Sequence, residues 1–405
     1  MLDIKPTISA LRRSKAGAFL LLIQIAIATA IVSNASFIVY DRVQYISQDT
    51  GYPEDEVFSF SLNTFGDVED LSQQMEQTEQ LLRNMPGVID AVYVDSVPLS
   101  GSGSASSFAN LPRDQNEQEN YREVRAAYIG ADEHIFEALG VEIAEGRGFL
   151  PSDVIVTNTR ADLPPVAIVS RSFLDEMFPE GDGLGQHIFT GNMGAQIIGV
   201  VEKMKGPWLK DSRPDNLLLI PYAEASVYQN FIVRTKAQDR SEVIGKIEDL
   251  LLEQYNERVI INLRGMDESK ARYNAADLLM VRMLIVLMVI LVLVTALGIF
   301  GLTVFNISKR TKQIGTRRAL GARKSAIVRY FLVENSLVCV LGLAVGITGA
   351  IGLGHFLMTE YSLPKLSLYY VVATAIGVFI ISLLSVLIPA NKAANISPSI
   401  ATRTI

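Results

Sequence analysis

The sequence predicts an α-helical membrane protein with four transmembrane helices and a large α+β extracytoplasmic domain of two subdomains. Four long apolar runs occupy residues 16–40, 283–307, 331–358 and 367–390. Charge is segregated: residues 41–282 hold 40 of the 43 acidic residues and 21 of the 36 basic ones, a formal balance of −19. Inside that block the apolar periodicity changes to the alternation and 3.6-residue spacing of water-soluble strands and helices. At 49% apolar and 20% charged residues over 405 positions, a collagen-like or wholly disordered chain is excluded. A single cysteine, Cys339, excludes an intrachain disulfide, and the histidines at 134, 187 and 355 are too scattered for a metal-spacing motif.

Each apolar run reaches the ~20 residues that cross a ~30 Å hydrocarbon core as a helix. Lys5, Arg12, Arg13 and Lys15 precede the first. Lys309, Arg310, Lys312, Arg317, Arg318, Arg323, Lys324 and Arg329, with no acid among them, fill the 308–330 loop. Lys392 and Arg403 lie in the 391–405 tail. Basic short flanks stay on the cytoplasmic side, so both termini and the 308–330 loop are inside, whereas 41–282 and the 359–366 link, with only Glu360 and Lys365, are outside. Glu334 would cost roughly 2.5–3.5 kcal/mol at mid-membrane, which places it at the membrane surface beside the basic loop. Residues 1–15 read as an amphipathic cytoplasmic segment started by Pro6, with Ile4, Ile8 and Leu11 on one face. A cleaved signal peptide ending at Ala28-Thr29-Ala30 is the rival reading. The apolar stretch runs on to Tyr40, longer than an apolar signal core of about 7–15 residues, and this favours retention.

Within 41–282, Val57 to Leu62 alternates as a strand, Val68, Leu71, Met75 and Leu82 recur at helical spacing, and Val88 to Val97 reads as a strand. Asn230 to Arg234, then Val243, Ile247, Leu250 and Leu251, then Val259 to Leu263 repeat the strand-helix-strand order. Two such units share one sheet in a ferredoxin-like arrangement, with halves at about 56–100 and 223–270. Residues 101–222 become an inserted subdomain, with strands at 123–128, 166–169, 187–190 and 196–202 and short helices at 132–138 and 171–178. Gly101-Ser-Gly-Ser-Ala-Ser-Ser107 reads as a flexible linker opening the insertion. The acidic surface reads as a solvated face, and no nucleic-acid partner is expected.

No Gly-x4-Gly-Lys-Ser/Thr, Gly-x-Ser-x-Gly or His-Glu-x2-His occurs in the sequence. No catalytic residue, metal site or cofactor is assigned to this chain, and no substrate-binding residue is identifiable. Few polar residues interrupt the spans; Gln24 reads as an interhelical hydrogen bond. Gly342, Gly346, Ala350 and Gly354 form a small-residue stripe at every fourth position of the third span, the pattern of close helix packing. In the basic loop, Ile314 and Leu320 with the small Gly315, Ala319, Gly321 and Ala322 suggest a compact apolar face framed by Arg317 and Arg318, shaped to enter a partner's groove.

These residues resemble the MacB/LolC/FtsX-type permeases of ABC transporters. The resemblance rests on Gln313-Ile-Gly-Thr-Arg-Arg-Ala-Leu-Gly-Ala322, Phe331-Leu-Val-Glu334 and Pro389-Ala-Asn-Lys-Ala-Ala-Asn-Ile-Ser-Pro398. Pro165-Val-Ala-Ile-Val-Ser170, Phe178-Pro, Gly185 and Ile198-Gly-Val-Val201 look like a MacB-type periplasmic core domain. Gln313 departs from the pattern, since the family commonly has Glu there, so an acid able to pair with an arginine across the interface has become a neutral amide. The fused ATPase domain of MacB itself does not occur in the sequence. The resemblance implies a mechanotransmission permease of the bacterial inner membrane, coupling through Gln313 to Ala322 and Glu334. Its partners would be separate ABC ATPase subunits that bind ATP and Mg, a second permease in a homodimer or heterodimer, membrane lipid, and a periplasmic adaptor and outer-membrane duct. Export or extraction of a peptide, antibiotic, lipid or lipoprotein is the leading function. FtsX-like signalling to a cell-wall hydrolase is the alternative, and the two-subdomain size of 41–282 favours the former. A membrane receptor or anchored enzyme is disfavoured by the loop motif.

Overall fold

A helix that meets lipid must satisfy its backbone internally, and the four apolar runs do so as long helices. The computed structural model describes residues 15–65, 70–157, 164–254, 257–361 and 364–397. The amphipathic reading of the first residues, Val68, Pro398 and Arg403 lie outside them. The apolar helices are α1 (Lys15–Ile46), α7 (Ala275–Lys309), α9 (Lys324–Tyr361) and α10 (Leu368–Ala394). Each is long and apolar enough to cross a membrane. All outrun the apolar cores marked in the sequence, because a helix continues past its hydrophobic centre wherever nothing breaks it. In particular, the 308–330 segment is not an open loop: it holds α8 (Thr311–Ala319) and the first turns of α9.

The chain divides into two units, one of the described residues up to Ser47 and from Ala276 onward, the other Gln48–Ala275. In the helical unit Leu21 and Ile25 of α1, Phe331 and Leu343 of α9, and Val386 and Ala390 of α10 belong to one buried cluster. Helix α7 runs beside α1, with Gln24 Nε2 donating to the Val294 carbonyl at 2.9 Å, but leaves most of its large apolar side chains, Leu279 and Leu297 among them, exposed.

In the other unit, β1 (Val57–Thr64), α2 (Leu71–Arg83) and β2 (Val88–Val94) are followed, after a long excursion, by β12 (Tyr228–Thr235), α5 (Arg240–Gln254) and β13 (Arg258–Gly265). The four strands form one antiparallel sheet in the order β13-β1-β12-β2, the ferredoxin-like order for two strand-helix-strand units. Alternation sends Phe58, Phe60 and Leu62 to the side of the core that also holds Met75 and Leu82 of α2 and Val243, Ile247 and Leu251 of α5. Asp70 caps α2 by accepting from the Ser72 and Gln73 N–H groups.

The excursion contains β3 (Ser104–Ala109), β4 (Glu123–Gly130), α3 (Ile135–Leu139), β5 (Ile143–Gly146), β6 (Ile155–Thr157), β7 (Val166–Ser170), α4 (Arg171–Met177), β8 (His187–Thr190), β9 (Met193–Val201), β10 (Leu217–Ile220) and β11 (Tyr222–Glu224). Seven strands follow the order β5-β9-β7-β10-β4-β3-β8, and an added β8–β9 pairing closes the sheet on itself around Phe108, Ile188, Ile197 and Leu218. Strand β3 corrects the flexible-linker reading of Gly101 to Ser107. Six residue pairs join it to β4, from Ser104 opposite Tyr128 to Ala109 opposite Glu123, and Phe108 buries its end. Backbone pairing and one aromatic anchor outweigh the Ser-rich composition.

Beneath the ferredoxin-like sheet edge, Arg83 meets three acids: Asp132 at 2.9 Å, Asp90 at 3.3 Å and Glu79 at 3.6 Å. His134 Nδ1 lies 2.9 Å from Asp90. Burial, followed by the charge of Asp132, pushes the Glu79 carboxyl up to about 8 from 4.5, against the pull of Arg83. The folded unit therefore holds a proton that the unfolded chain releases between these pH values, and stability falls as pH rises through that window. Glu79→Gln should flatten this dependence by up to ~1.4 kcal/mol per pH unit. Thermal unfolding from pH 4.5 to 8.5 checks it: parallel wild-type and variant curves would show that Glu79 does not take up the proton.

Candidate functional site

The basic segment between α7 and α9 is held by a buried ion pair. Glu334, 7% exposed on the first turns of α9, receives both of its carboxylate hydrogen bonds from Arg310 Nη1, at 2.8 and 3.0 Å, and the same nitrogen donates to the Tyr330 hydroxyl at 3.0 Å. Arg317 of α8 lies 5.4 Å from the centre of the Tyr330 ring, within cation–π range. Glu334 is thus placed under the segment, bound to the chain's own arginine, and not on an outward face.

Helix α8 ends in a Schellman turn. Gly321 adopts φ +90°, its N–H donates to the Arg318 carbonyl at 3.1 Å, and the Ala322 N–H reaches back to the Arg317 carbonyl at 3.0 Å. Arg318 adds a bond from Nη1 to the Ala322 carbonyl at 2.9 Å, so this guanidinium serves the cap. A Cβ on Gly321 would meet open space; the glycine is required by its left-handed backbone alone.

The single apolar face expected from Ile314 to Ala322 is divided. Ile314, 6% exposed, belongs to the buried cluster of the helical unit with Ile327 and Phe331, and Gly315 is buried beside it. Leu320 is 83% exposed. Gln313, Arg317, Ala319 and Gly321 are exposed, and Arg318 and Ala322 half-buried. Apolar character alone does not say which way a side chain on a helix of two to three turns points. Ile314 is the inward anchor, and Leu320 with the surrounding bases is the outward surface. Arg310 entered the sequence reading only as one of the loop's bases and Tyr330 not at all; the signal for the pair was that an acid inside an apolar run needs a cation from its neighbourhood.

The stripe on α9 faces α1. A Cβ on Gly342 would sit 2.9 Å from Ile25, and one on Gly346 2.7 Å from Thr29 Cβ and 2.9 Å from the Ala26 carbonyl. Ala350 is fully buried, its carbonyl accepting from Asn34 Nδ2 at 3.0 Å, and Gly354 approaches Leu366 and Asn34. No group of three or more potential metal ligands occurs among the described residues.

The model of the MacB-like periplasmic core domain matches residues 18–250, and that of the FtsX-like permease C-terminal matches residues 285–398. The macrolide export ATP-binding/permease protein MacB of Chromobacterium violaceum is 26% identical over 329 residues, 78% of this chain and 48% of that protein. The pyoverdine export ATP-binding/permease protein PvdT of Pseudomonas syringae pv. syringae is 27% identical over 319 residues, 75% of this chain and 45% of the relative. The chain spans about half the length of the curated relatives it matches. Among solved structures, the extracellular domain of the noncanonic ABC-type transporter YknZ from Gram-positive bacteria matches at 16% identity and a TM-score of 0.32, covering 50% of this chain and 100% of that one. The periplasmic region of MacB from Actinobacillus actinomycetemcomitans matches at 13% identity and a TM-score of 0.32, covering 53% and 91%.

The α1–α9 contact gives a paired test. Gly346→Leu forces a side chain against the α1 backbone and should cost about 1–3 kcal/mol of packing, whereas Gly352→Leu on the same helix meets nothing within 4 Å. The first should lower the unfolding temperature of the detergent-solubilised chain by several degrees and the second should leave it unchanged. Equal effects would show that α9 is not held through its small-residue stripe.

Proposed function

Because the chain belongs to the family of permeases that join a MacB-like periplasmic core domain to an FtsX-like permease C-terminal, we propose that it is the membrane subunit of an ABC export system. Closure of an ATP-binding partner would be converted into movement of residues 48–275. The observation that carries this reading is the segment from Arg310 to Lys324. It is rigidly mounted inside the chain by Ile314 and the Arg310–Glu334 pair, yet presents Leu320 and several exposed bases that form no ion pair among the described residues. A coupling element needs both properties, since a force applied at a loose loop is lost in the loop.

The 405 residues contain no P-loop, and we place ATP and Mg in the partner subunit. We place the protein in a bacterial inner membrane with residues 48–275 in the periplasm, in keeping with the basic cytoplasmic flanks and the family. The exposed apolar sides of α7 suit lipid or a second permease copy. The relatives named above are exporters of a macrolide and of pyoverdine, and this favours small-molecule or peptide-like cargo over signalling to a hydrolase. An adaptor and outer-membrane duct would complete such a route.

Leu320→Asp tests coupling cleanly, because the side chain touches little of its own chain. It should insert and fold normally but fail to co-purify with the cognate ABC ATPase, by tenfold or more, while Lys324→Ala at the rim should change recovery little. Full recovery of the ATPase with the Leu320 variant would reject the segment as the docking surface. Orientation is tested separately with single cysteines in a Cys339→Ala background: an impermeant thiol reagent should label position 115 and not 316 in intact spheroplasts, and the reverse pattern would overturn the topology.

A further inference from the structure

The unit formed by residues 48–275 contains a cleft of about 1040 Å³, large enough for a ligand of drug or short-peptide size. One wall is the ferredoxin-like sheet's second face. Alternation along β1 turns Phe58, Phe60 and Leu62 to the helices, so Ser59 and Ser61 point the other way. That face is polar. The Tyr228 hydroxyl donates to Ser61 at 3.1 Å, Ser61 donates to Asn230 Oδ1 at 2.8 Å, and Asn230 Nδ2 donates to the Asp95 carbonyl at 3.2 Å. Ser59, 5% exposed, lines the cleft beside them. The opposing wall comes from the inserted subdomain and carries Ser104, Ser106 and Tyr128. A polar face roofed by a second subdomain is unfavourable unless its groups find partners in the space between.

Charge in the cleft is sorted by position. Asp95, directly after β2, and Glu224 of β11 stand at one end, joined through Tyr93 of β2, whose hydroxyl donates to the Glu224 carbonyl at 2.8 Å. Arg264 of β13 and Arg272 of α6 (Met266–Tyr273) line the other. Strands β2 and β13 are opposite edges of the four-stranded sheet, three interstrand spacings apart, and Asp95 lies three residues along from the row that holds Arg264, so the two backbone positions are roughly 17 Å apart. Several acids of this unit meet a base, among them Glu56 with Arg234 at 2.9 Å, Asp215 with Lys205 at 2.7 Å, and Glu54 with Lys270 at 2.7 Å. Asp95 and Glu224 form no ion pair among the described residues. Asp95 Oδ1 accepts from the Gly130 N–H at 2.8 Å and the Ser96 hydroxyl at 3.1 Å, and burial pushes its carboxyl up to about 6, as expected of a carboxylate lacking a cation.

We propose that this cleft is a binding site for an elongated zwitterion of short-peptide size, with its ammonium group held by Asp95 and Glu224, its carboxylate by Arg264 and Arg272, and its body against Tyr93, Tyr128, Tyr222 and Tyr228. An extended peptide of four residues spans about 13 Å, and the long side chains of Arg264 and Arg272 cover the remaining distance. As the cargo site of an exporter, the cleft rests on the permease reading above; as a binding site, it does not, because occupancy requires no ATPase.

The probe is the tetrapeptide Phe-Ala-Ala-Phe, used with free termini, with an acetylated amino terminus and with an amidated carboxyl terminus. Binding to the full-length chain in nanodiscs is followed by calorimetry without any ATPase present. The free peptide should bind at least tenfold more tightly than either blocked form. Asp95→Asn with Glu224→Gln should abolish the preference for the free amino terminus and keep that for the free carboxylate; Arg264→Gln with Arg272→Gln should do the converse. Each pair of variants thereby reports the folding of the other end. Independently, a cysteine at position 106 in a Cys339→Ala background should react with a maleimide several times more slowly when the free peptide is present. Absence of saturable binding, indifference to blocking, discrimination unchanged in the variants, or labelling at 106 that the peptide does not slow would each overturn the proposal. Failure of Leu320→Asp to affect ATPase docking would leave these outcomes untouched, so the two readings fail separately.

Discussion

A carboxylate set among apolar helices needs a cation within reach, and Glu334 finds Arg310 at 2.8 Å. Much of the cytoplasmic end follows from that pair. Arg310 is the residue between α7 and α8, so anchoring it to α9 fixes where α7 ends and where α8 begins. Tyr330, one turn before Glu334, takes a hydrogen bond from the same guanidinium and offers its ring to Arg317. Burying an ion pair contributes little net stability. Removing one partner, however, would strand a charge, which makes the arrangement specific where it is not strongly stabilising. Ile314 then seals α8 onto the bundle, and the Schellman turn at Gly321 directs the chain back into α9.

The second constraint is closeness. Without a hydrophobic drive between helices in lipid, association relies on van der Waals contact and interhelical hydrogen bonds. Gly342 and Gly346 let α9 approach the α1 backbone near Leu22 and Ala26, and Asn34 bridges to the Ala350 carbonyl at 3.0 Å. Helix α7 is joined to α1 by sparser means, including Gln24 to the Val294 carbonyl and Arg42 with Asp277 at 3.7 Å. One neighbour of α1 is therefore packed tightly and the other lightly. In chain order α1 and α7 are the two helices that bracket residues 48–275.

The four spans were legible because an uninterrupted apolar run of about twenty residues matches the thickness of a bilayer core, and the strand-helix-strand pairs because alternation at Val57 to Leu62 and 3.6-residue spacing at Val243 to Leu251 are unambiguous. The stripe at Gly342 to Gly354 was equally plain. Other features depended on information that is not local. Leu217 to Ile220 has no alternation, since all four residues of this central strand are buried. Ser104 to Ala109 has the composition of a linker and becomes a strand through its partner β4. Ile314 and Leu320 are alike in apolarity but opposite in fate, and only the position of α9 and α10 around α8 decides which enters the core.

The polar cleft belongs to the same category. Ser59, Ser61, Asn230 and Tyr228 alternate with apolar residues along β1 and β12, and in isolation this is the ordinary signature of a sheet with one wet face. What changes its meaning is the insertion after β2, which returns Tyr222 and Glu224 to cover that face. The insertion thus converts a plain solvated surface into a lined space with acids at one sheet edge and arginines at the other. Asp95 is contributed by the segment leaving the sheet for the insertion and Glu224 by the segment returning from it, so both acids sit at the junction of the two subdomains.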